Sequence, residues 1–381
     1  MVANWRPLRE GQVEGGGTAA APMRAAFFRA HGGLDVLEVG DMDDPRPGPG
    51  EVAIAVKACA LNHLDLFVRQ GWPGLQLALP HIGGTDLAGT VTEVSEGVTD
   101  FHVGDAVVVN PGLNFDADEQ GEQVVPAAPS IVGETRAGGL AERCVVPASH
   151  VLPRPAGLSW EEAACLPLTL QTVMQMMRRG GLAGTGPSQE LSALIAADAA
   201  RPAAGKRVLV VGGGGGVSVI AIQIAKALGA WVCATTGGAD KVEHVRGLGA
   251  DEVIDYQANA EWWKAAYFAT GKEGFDVVLD SVGQATWKHS LRCLRPGGRL
   301  VTCGATTGAV GETNIQLLFW KQLSILGSTM GTPDDLARGL ALVQAGKVRP
   351  VVDSVWPLAQ AREAQAHLAS GAMFGKVVVR P

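Results

Sequence analysis

The chain has 381 residues, of which 47% are hydrophobic and 18% charged, and its formal net charge is −7. That length accommodates two domains with cores of their own, and the composition is globular rather than disordered. The acidic balance and the lack of a Lys/Arg-rich run argue against nucleic acid or an anionic membrane as the main partner.

The opening stretch MVANWRPLREGQVEGGGTAAAP lacks the charged-then-apolar pattern of a secretory signal, and residues 1–22 read as a flexible extension. From MRAAFFRA onward come short strand-like runs separated by turn signals: EVAIAVKACAL, DLAGTVTEVSEGVTDFHVGDAVVV and AERCVVPASHVLPRP. Such punctuation predicts a β-rich, barrel-like domain. After residue 155 the spacing turns helical in SWEEAACLPLTLQTVMQMM, with Ser159 as N-cap and Glu162 completing a capping box. Residues 178–205 form a Gly/Ala-rich connection, read as a surface excursion with one helix at 188–200.

Strands and helices then alternate through RVLVV, VIAIQIAKALGA, WVCATT, DKVEHVRGLGA, EVIDY, DVVLDSVG, HSLRCLRPGG and RLVTCGAT. Continuous apolar strands between amphipathic helices predict an α/β domain with a doubly wound parallel sheet. The most apolar region, residues 208–233, holds five consecutive glycines, Gln223 and Lys226, which makes it a buried strand–turn–helix and not a membrane span. The chain ends with a helix and a strand in AREAQAHLASGAMFGKVVVRP. Cys59, Cys144, Cys165, Cys233, Cys293 and Cys303 contain no C-x-x-C pair, so buried, reduced thiols and a cytoplasmic protein are expected.

In RVLVVGGGGGVSVIAIQIAKALGA the glycines follow an apolar strand and open a helix, the context in which G-x-G-x-x-G signals a dinucleotide. Gly213, Gly215 and Ser218 take the three motif positions. The first is read as the tight turn and the second as the point where backbone approaches a pyrophosphate. Gly216 and Val217 stand at the helix N-terminus, whose N–H groups and dipole favour phosphate. No Gly-Lys-Ser/Thr follows, which excludes a Walker-type loop. After the second strand, ATTGGADK has no acid between Thr236 and Asp240. Nothing there repels a 2′-phosphate and Lys241 is within reach of one, so NADPH is the expected cofactor.

On ALNHLDLFVRQG, LPHIGGTDLAGTV, the glycine turn, GLGADEVIDY, DVVLDSVG, GGRLVTCGATTG and FGKVVV, residues 23–381 resemble the medium-chain dehydrogenase/reductase superfamily, in particular its quinone-oxidoreductase-like branch. The resemblance implies a GroES-like catalytic domain over 23–168 and 332–381 and a Rossmann NADP-binding domain over 169–331. Nicotinamide would lie in the cleft between them. It also implies that Lys241 and Tyr256 flank the adenosine 2′-phosphate. Ser281, Gly283, Gly304, Ala305, Phe374 and Lys376 would lie towards the ribose and nicotinamide, with Thr172 and Thr236 completing the cofactor set.

Departures from the family pattern shape the expected chemistry. Zinc-dependent members carry Cys where this chain has Asn62, a hydroxyl relay where it has Leu64, and His-Glu where it has Thr85-Asp86. Amide and hydroxyl oxygens are poor zinc donors, and FDADEQGEQVVPAAPS lacks the four cysteines of a structural lobe, so no metal is expected. His63 and His81 with Asp65 or Asp86 stay open as an alternative metal set. Trp72, in GWPG, stands where enoyl reductases of the superfamily carry Tyr before Pro, and is read as stacking on a flat substrate. Asn62 is the expected anchor for a carbonyl or the nicotinamide, with His63 as proton relay and Asp65 beside them.

The predicted activity is zinc-free, NADPH-dependent hydride transfer to a quinone or α,β-unsaturated carbonyl. Two alternatives remain: an alcohol dehydrogenase with unrecognised metal ligands, and an NADPH-binding regulatory protein without turnover. NIQLLFWKQLSILGSTMG, residues 314–331, reads as an apolar helix start followed by an edge strand of high β-propensity, and the resemblance implies that two such edges pair in a homodimer.

Overall fold

Residues 22–118, 122–184 and 202–381 are described by the computed structural model. The first half runs β1 (Met23–Phe28), β2 (Leu37–Met42), β3 (Glu51–Ala60), α1 (His63–Gln70), β4 (His81–Ile82), β5 (Asp86–Val94), β6 (Ala106–Val109), β7 (Arg143–Pro147), β8 (Val151–Pro153), α2 (Trp160–Ala164) and α3 (Pro167–Arg179). The second half runs β9 (Arg207–Val211), α4 (Gly216–Ala227), β10 (Trp231–Thr236), α5 (Ala239–Gly247), β11 (Glu252–Asp255), α6 (Trp262–Ala269), β12 (Phe275–Asp280), α7 (Trp287–Cys293), β13 (Leu294–Thr302), α8 (Ile315–Trp320), β14 (Ser324–Gly327), α9 (Pro333–Gln344), β15 (Val352–Pro357), α10 (Ala361–Ser370) and β16 (Lys376–Arg380). The helix expected at 188–200 lies outside the described residues.

Small and β-branched residues make β3 the centre of a seven-stranded sheet, ordered β15-β16-β3-β5-β6-β8 with β7 also on β3. A three-stranded sheet, β2-β1-β4, stands beside it. The last strand returns across the chain: Val378 and Val379 of β16 pair antiparallel with Ala60 and Cys59 of β3. That pairing brings the Lys376 end of β16 to the junction of β3 and α1, where Leu61 N–H donates to the Val377 carbonyl at 2.8 Å.

The second sheet is the expected doubly wound one, ordered β11-β10-β9-β12-β13-β14 with every pairing parallel. The chain direction across the sheet reverses between β9 and β12, and ligands bind outside the carboxyl ends of strands at such a switch. Its core packs Val208 and Val210 against Ile220 and Ile224 of α4 and Leu170, Val173 and Met177 of α3. Ser159 caps α2 as its spacing predicts: its hydroxyl accepts from Glu162 N–H at 3.2 Å, and Glu162 accepts from Ser159 N–H at 2.9 Å. The buried Arg178–Asp335 pair, at 2.8 Å, ties α3 to α9. Among the described residues no helix is long and apolar enough to cross a membrane.

The LAG run of β5 has a steric cause. Register shifts between Val56 and Ala58 bring the Ala55 carbonyl against Gly89, where a Cβ would sit 2.2 Å from that oxygen and 2.6 Å from Ile54 Cγ2. Gly89→Ala is therefore expected to destabilise the chain by about 1–3 kcal/mol, the usual cost of overpacking. Chemical denaturation should show a lower midpoint with an unchanged slope; an unshifted midpoint would mean that β5 can slide away from β3.

Candidate functional site

A cavity of about 470 Å³ opens at the carboxyl ends of β9 and β12, between the two sheets. Its cofactor side is the glycine turn. Gly212 carries the positive φ, 72°, so the tight turn falls one residue before the motif's first glycine, where the sequence reading put it. Gly213 is needed for a different reason: its N–H donates to Thr235 O at 2.6 Å, and a Cβ would lie 3.2 Å from that oxygen. Gly215 is the N-cap of α4, and Gly215, Gly216 and Val217 line the cavity, so the unpaired N–H groups of the first helical turn stand at its wall. Ser218 is buried and donates to Val211 O at 3.1 Å, which lets the helix pack closely on β9.

The segment after α10 crosses this turn. Gly375 N–H donates to Gly214 O at 2.9 Å, and a Cβ on Gly216 would lie 2.6 Å from Lys376 Cδ. Thr236, Lys241 and Tyr256 all line the far end of the cavity. Lys241 Nζ donates to the carbonyls of Gly371 and Met373, each at 3.0 Å, and so bridges the two halves. Asp255 instead accepts from Gly238 and Gln257 N–H groups, at 3.1 and 2.9 Å. Among the described residues, Glu134 is the only carboxylate lining the cavity.

The opposite end is built where β3 meets α1. Asn62 caps α1, and its own N–H donates to Asp65 Oδ2 at 2.7 Å. Asp65 Oδ1 accepts from Gly84 N–H at 2.9 Å and Thr85 Oγ1 at 3.3 Å. Asp65 is thus a buried strut between α1 and the 83–85 loop, and it does not line the cavity. Burial raises its pKa to about 6, against the lowering pull of the Asn62 and Gly84 N–H groups and of Lys376.

Asn62 does more than cap. Its Nδ2 donates to Asp86 Oδ2 at 2.9 Å, while Lys376 Nζ donates to Asn62 Oδ1 and, at 3.1 Å, to the same Asp86 oxygen. Asp86 Oδ1 accepts from Leu168 N–H at 2.8 Å. The three side chains are buried, and Asn62 and Lys376 line the cavity. A closed amide–carboxylate–ammonium ring therefore joins two of the positions read as departures from the zinc pattern, Asn62 and Asp86, to Lys376, which was read as a cofactor residue.

His63 lines the cavity beside this ring, and burial followed by the Lys376 charge lowers its pKa, leaving the imidazole neutral at pH 7. His81 is buried outside the cavity lining, with Nε2 3.2 Å from Gly133 O and its ring against Phe28. The structure thus gives the alternative metal set no common centre, and no group of three His, Cys, Asp or Glu able to hold a metal occurs among the described residues. Trp72 is 40% exposed and absent from the lining, at odds with its reading as a stacking surface: the Gly71 turn, φ 77°, carries the chain outward after α1.

Thr172, Ser281 and Gly304 line the cavity, while Gly283 and Ala305 line a neighbouring one of about 780 Å³. Phe374 packs on His244 at 5.1 Å and its N–H donates to Asp353 at 2.8 Å. Two residues were missed in the sequence. Asp86 was read only as an optional metal ligand, and Glu134, whose carboxyl burial raises in pKa, carries no motif. Leu64, Phe67, Ile131, Leu168 and Met330 complete an apolar wall.

Comparison with known proteins agrees with this architecture. The alcohol dehydrogenase GroES-like domain matches residues 48–156, and the zinc-binding dehydrogenase domain matches residues 216–345. A zinc-type alcohol dehydrogenase-like protein of Schizosaccharomyces pombe is 33% identical over 91% of this chain and 96% of its own. A quinone oxidoreductase of Pseudomonas aeruginosa is 30% identical over 93% of this chain and 98% of its own. The crystal structure of an NAD-dependent alcohol dehydrogenase superposes with a TM-score of 0.85 at 41% identity, covering 94% of this chain and 100% of that one. With matches spanning both halves, this chain belongs to the medium-chain dehydrogenase/reductase superfamily and is an oxidoreductase of that family.

Proposed function

We propose that the chain is a zinc-free, NADPH-dependent reductase of quinones or α,β-unsaturated carbonyl compounds. The observation that carries the reading is the Asn62–Asp86–Lys376 ring. Zinc takes thiolate, imidazole or carboxylate donors. Here the donors are an amide and a hydroxyl, both Asp86 oxygens already accept hydrogen bonds, and a lysine ammonium lies against them. The ion does not fit this donor set. An alkoxide, with its charge on one atom, draws on a Lewis acid, whereas a conjugated acceptor spreads incoming charge over several atoms.

The residues present fit a nicotinamide dinucleotide. The α4 N-terminus and Gly214–Gly216 stretch would hold its pyrophosphate, and Thr236, Lys241 and Tyr256 its adenosine end. When bound in its reduced form, that group supplies the hydride. The protein's part is orientation: Leu64, Phe67, Ile131, Leu168 and Met330 offer a flat apolar acceptor a wall to lie against. Oxidation of the reduced cofactor, screened over quinones, enones and aldehydes, tests the reading; turnover confined to simple alcohols and aldehydes would overturn it.

Preference for NADPH rests on the lack of a carboxylate at the Thr236 end and on Lys241 beside Tyr256. The opposite preference, NADH, is favoured by the engagement of Lys241 with Gly371 and Met373, which a 2′-phosphate must break. Titration of both cofactors separates them. Lys241→Ala is expected to weaken NADPH roughly 10- to 100-fold, the worth of a charge-assisted hydrogen bond, and to leave NADH nearly unchanged. Equal weakening would favour NADH.

Metal analysis after purification without added metal is expected to give far less than one zinc per chain, with turnover insensitive to chelators. One tightly held zinc whose removal abolishes turnover would return the chain to the alcohol dehydrogenase reading.

The active form in this proposal is a homodimer. β14 ends the second sheet with one edge unpaired among the described strands, and Ile315, Phe319 and Trp320 of the adjoining α8 are 72%, 64% and 80% exposed. A second copy covers both the open edge and the apolar helix face. Light scattering should give twice the 39.4 kDa chain mass, and Trp320→Glu should shift it towards the monomer. A monomeric wild type at micromolar concentration would refute the pairing.

A further inference from the structure

We propose that Lys376 is a catalytic residue of this reductase, its ammonium holding the substrate oxygen that becomes negative during hydride transfer. The inference rests on the reductase reading given above and adds the group that takes the role of an electrophile. Lys376 is 5% exposed, yet it lines the cavity together with Asn62 and His63. An ammonium has three N–H donors. Asn62 Oδ1 and Asp86 Oδ2 take two, and no third acceptor stands on Nζ among the described residues.

The ring holds that donor in place before substrate arrives. Leu168 N–H fixes one Asp86 oxygen, and the other accepts from both Asn62 Nδ2 and Lys376. With its NH2 group on Asp86, Asn62 turns its carbonyl oxygen to the ammonium. The lysine stem is confined as well, because Cδ passes where a Cβ on residue 216 would stand, 2.6 Å away. Gly216 therefore serves two needs, leaving the helix N-terminus open to phosphate and giving the stem a channel towards the reacting end. Donors fixed in this way lose little reorganisation energy when charge develops.

Neither neighbour can take the role as well. Both ends of the Asn62 amide are engaged, and His63 is neutral with a single N–H. In an enone, hydride arriving at the β-carbon brings two electrons. The alkene pair moves to form a double bond to the carbonyl carbon, and the carbonyl π pair moves onto oxygen. The resulting enolate oxygen accepts a hydrogen bond from Lys376, and water supplies the proton that ends on the α-carbon. In a quinone the hydride brings both electrons and one hydrogen, the same oxygen carries the phenolate charge, and one net proton from water completes the hydroquinone.

The test uses 4-nitrophenol as a stable phenolate, bound to the enzyme loaded with oxidised cofactor, with ionisation read from its visible absorbance. On the wild type the bound phenol should ionise about one to three pH units lower than on Lys376→Met, the effect of a nearby opposite charge. Because Lys376→Met leaves the Asp86 charge without its counter-ion, Lys376→Met/Asp86→Asn is measured beside it, each variant saturated with cofactor, and should show the same loss of the shift. In turnover with a quinone or enone, kcat is expected to fall roughly 100- to 1000-fold in both variants. Ionisation at the same pH in wild type and double variant, or no binding of the phenol by the wild type, overturns the role of Lys376 while wild-type quinone turnover leaves the reductase reading standing. A wild type that reduces neither quinones nor enones fails that reading and this inference together.

Discussion

The two oxygens of Asp86 hold the site together. One fixes the start of α3 through Leu168 N–H, and the other collects the Asn62 amide and the Lys376 ammonium. Four distant segments meet there: the β3–α1 junction, the start of β5, the start of α3 and the start of β16. A carboxylate at 0% exposure survives only with such partners, since losing one partner of a buried ion pair commonly costs about 3–5 kcal/mol. The arrangement therefore constrains sequence at all four places, and it explains why a lysine opens an otherwise apolar final strand.

The segment from Gly371 to Lys376 joins that constraint to the cofactor cleft. Its carbonyls accept from Lys241, Gly375 N–H donates to the glycine turn, and Lys376 reaches the ring beneath. Any ligand that draws Lys241 away removes two of the hydrogen bonds joining this segment to the second sheet, while the Gly375 bond remains. In the proposed function the nucleotide end and the reacting end are thus joined through six residues of chain.

Much of this was legible in sequence where the physics is local. A capping box needs two residues three apart, and Ser159 and Glu162 form one. Alternating apolar strands and amphipathic helices give the parallel sheet, and its final strand, β14, falls at the edge. The five glycines left the turn's register ambiguous, because any of them tolerates a positive φ; the structure puts it at Gly212. The ring was illegible, since Asp86 and Lys376 are 290 residues apart and meet only through the return of β16 to β3. Sequence assigned Lys376 to the cofactor on resemblance alone, and gave the Asn62 amide to a carbonyl or the nicotinamide, where the structure shows it engaged with Asp86 and Lys376. Glu134 lay in a loop whose composition carries no signal, and the direction of Trp72 depended on a turn that periodicity does not fix.

An ammonium and a metal ion impose different chemistry on the same backbone. A divalent ion coordinates an oxygen directly and carries charge in excess of its ligands. In the role proposed for it, Lys376 offers one hydrogen bond from a charge that Asp86 partly balances, so its field on a substrate oxygen is weaker than that of a divalent ion. That field suits an oxygen bearing part of a delocalised charge, as in an enolate or a phenolate, and suits an alkoxide poorly. The apolar wall acts in the same direction: Leu64 stands where the resemblance implies a hydroxyl relay, so no side-chain hydroxyl at that position carries off an alcohol proton. Reduction of a conjugated acceptor, the reaction proposed for this chain, asks for neither a strong Lewis acid nor that relay, and the ring and the wall are consistent with it.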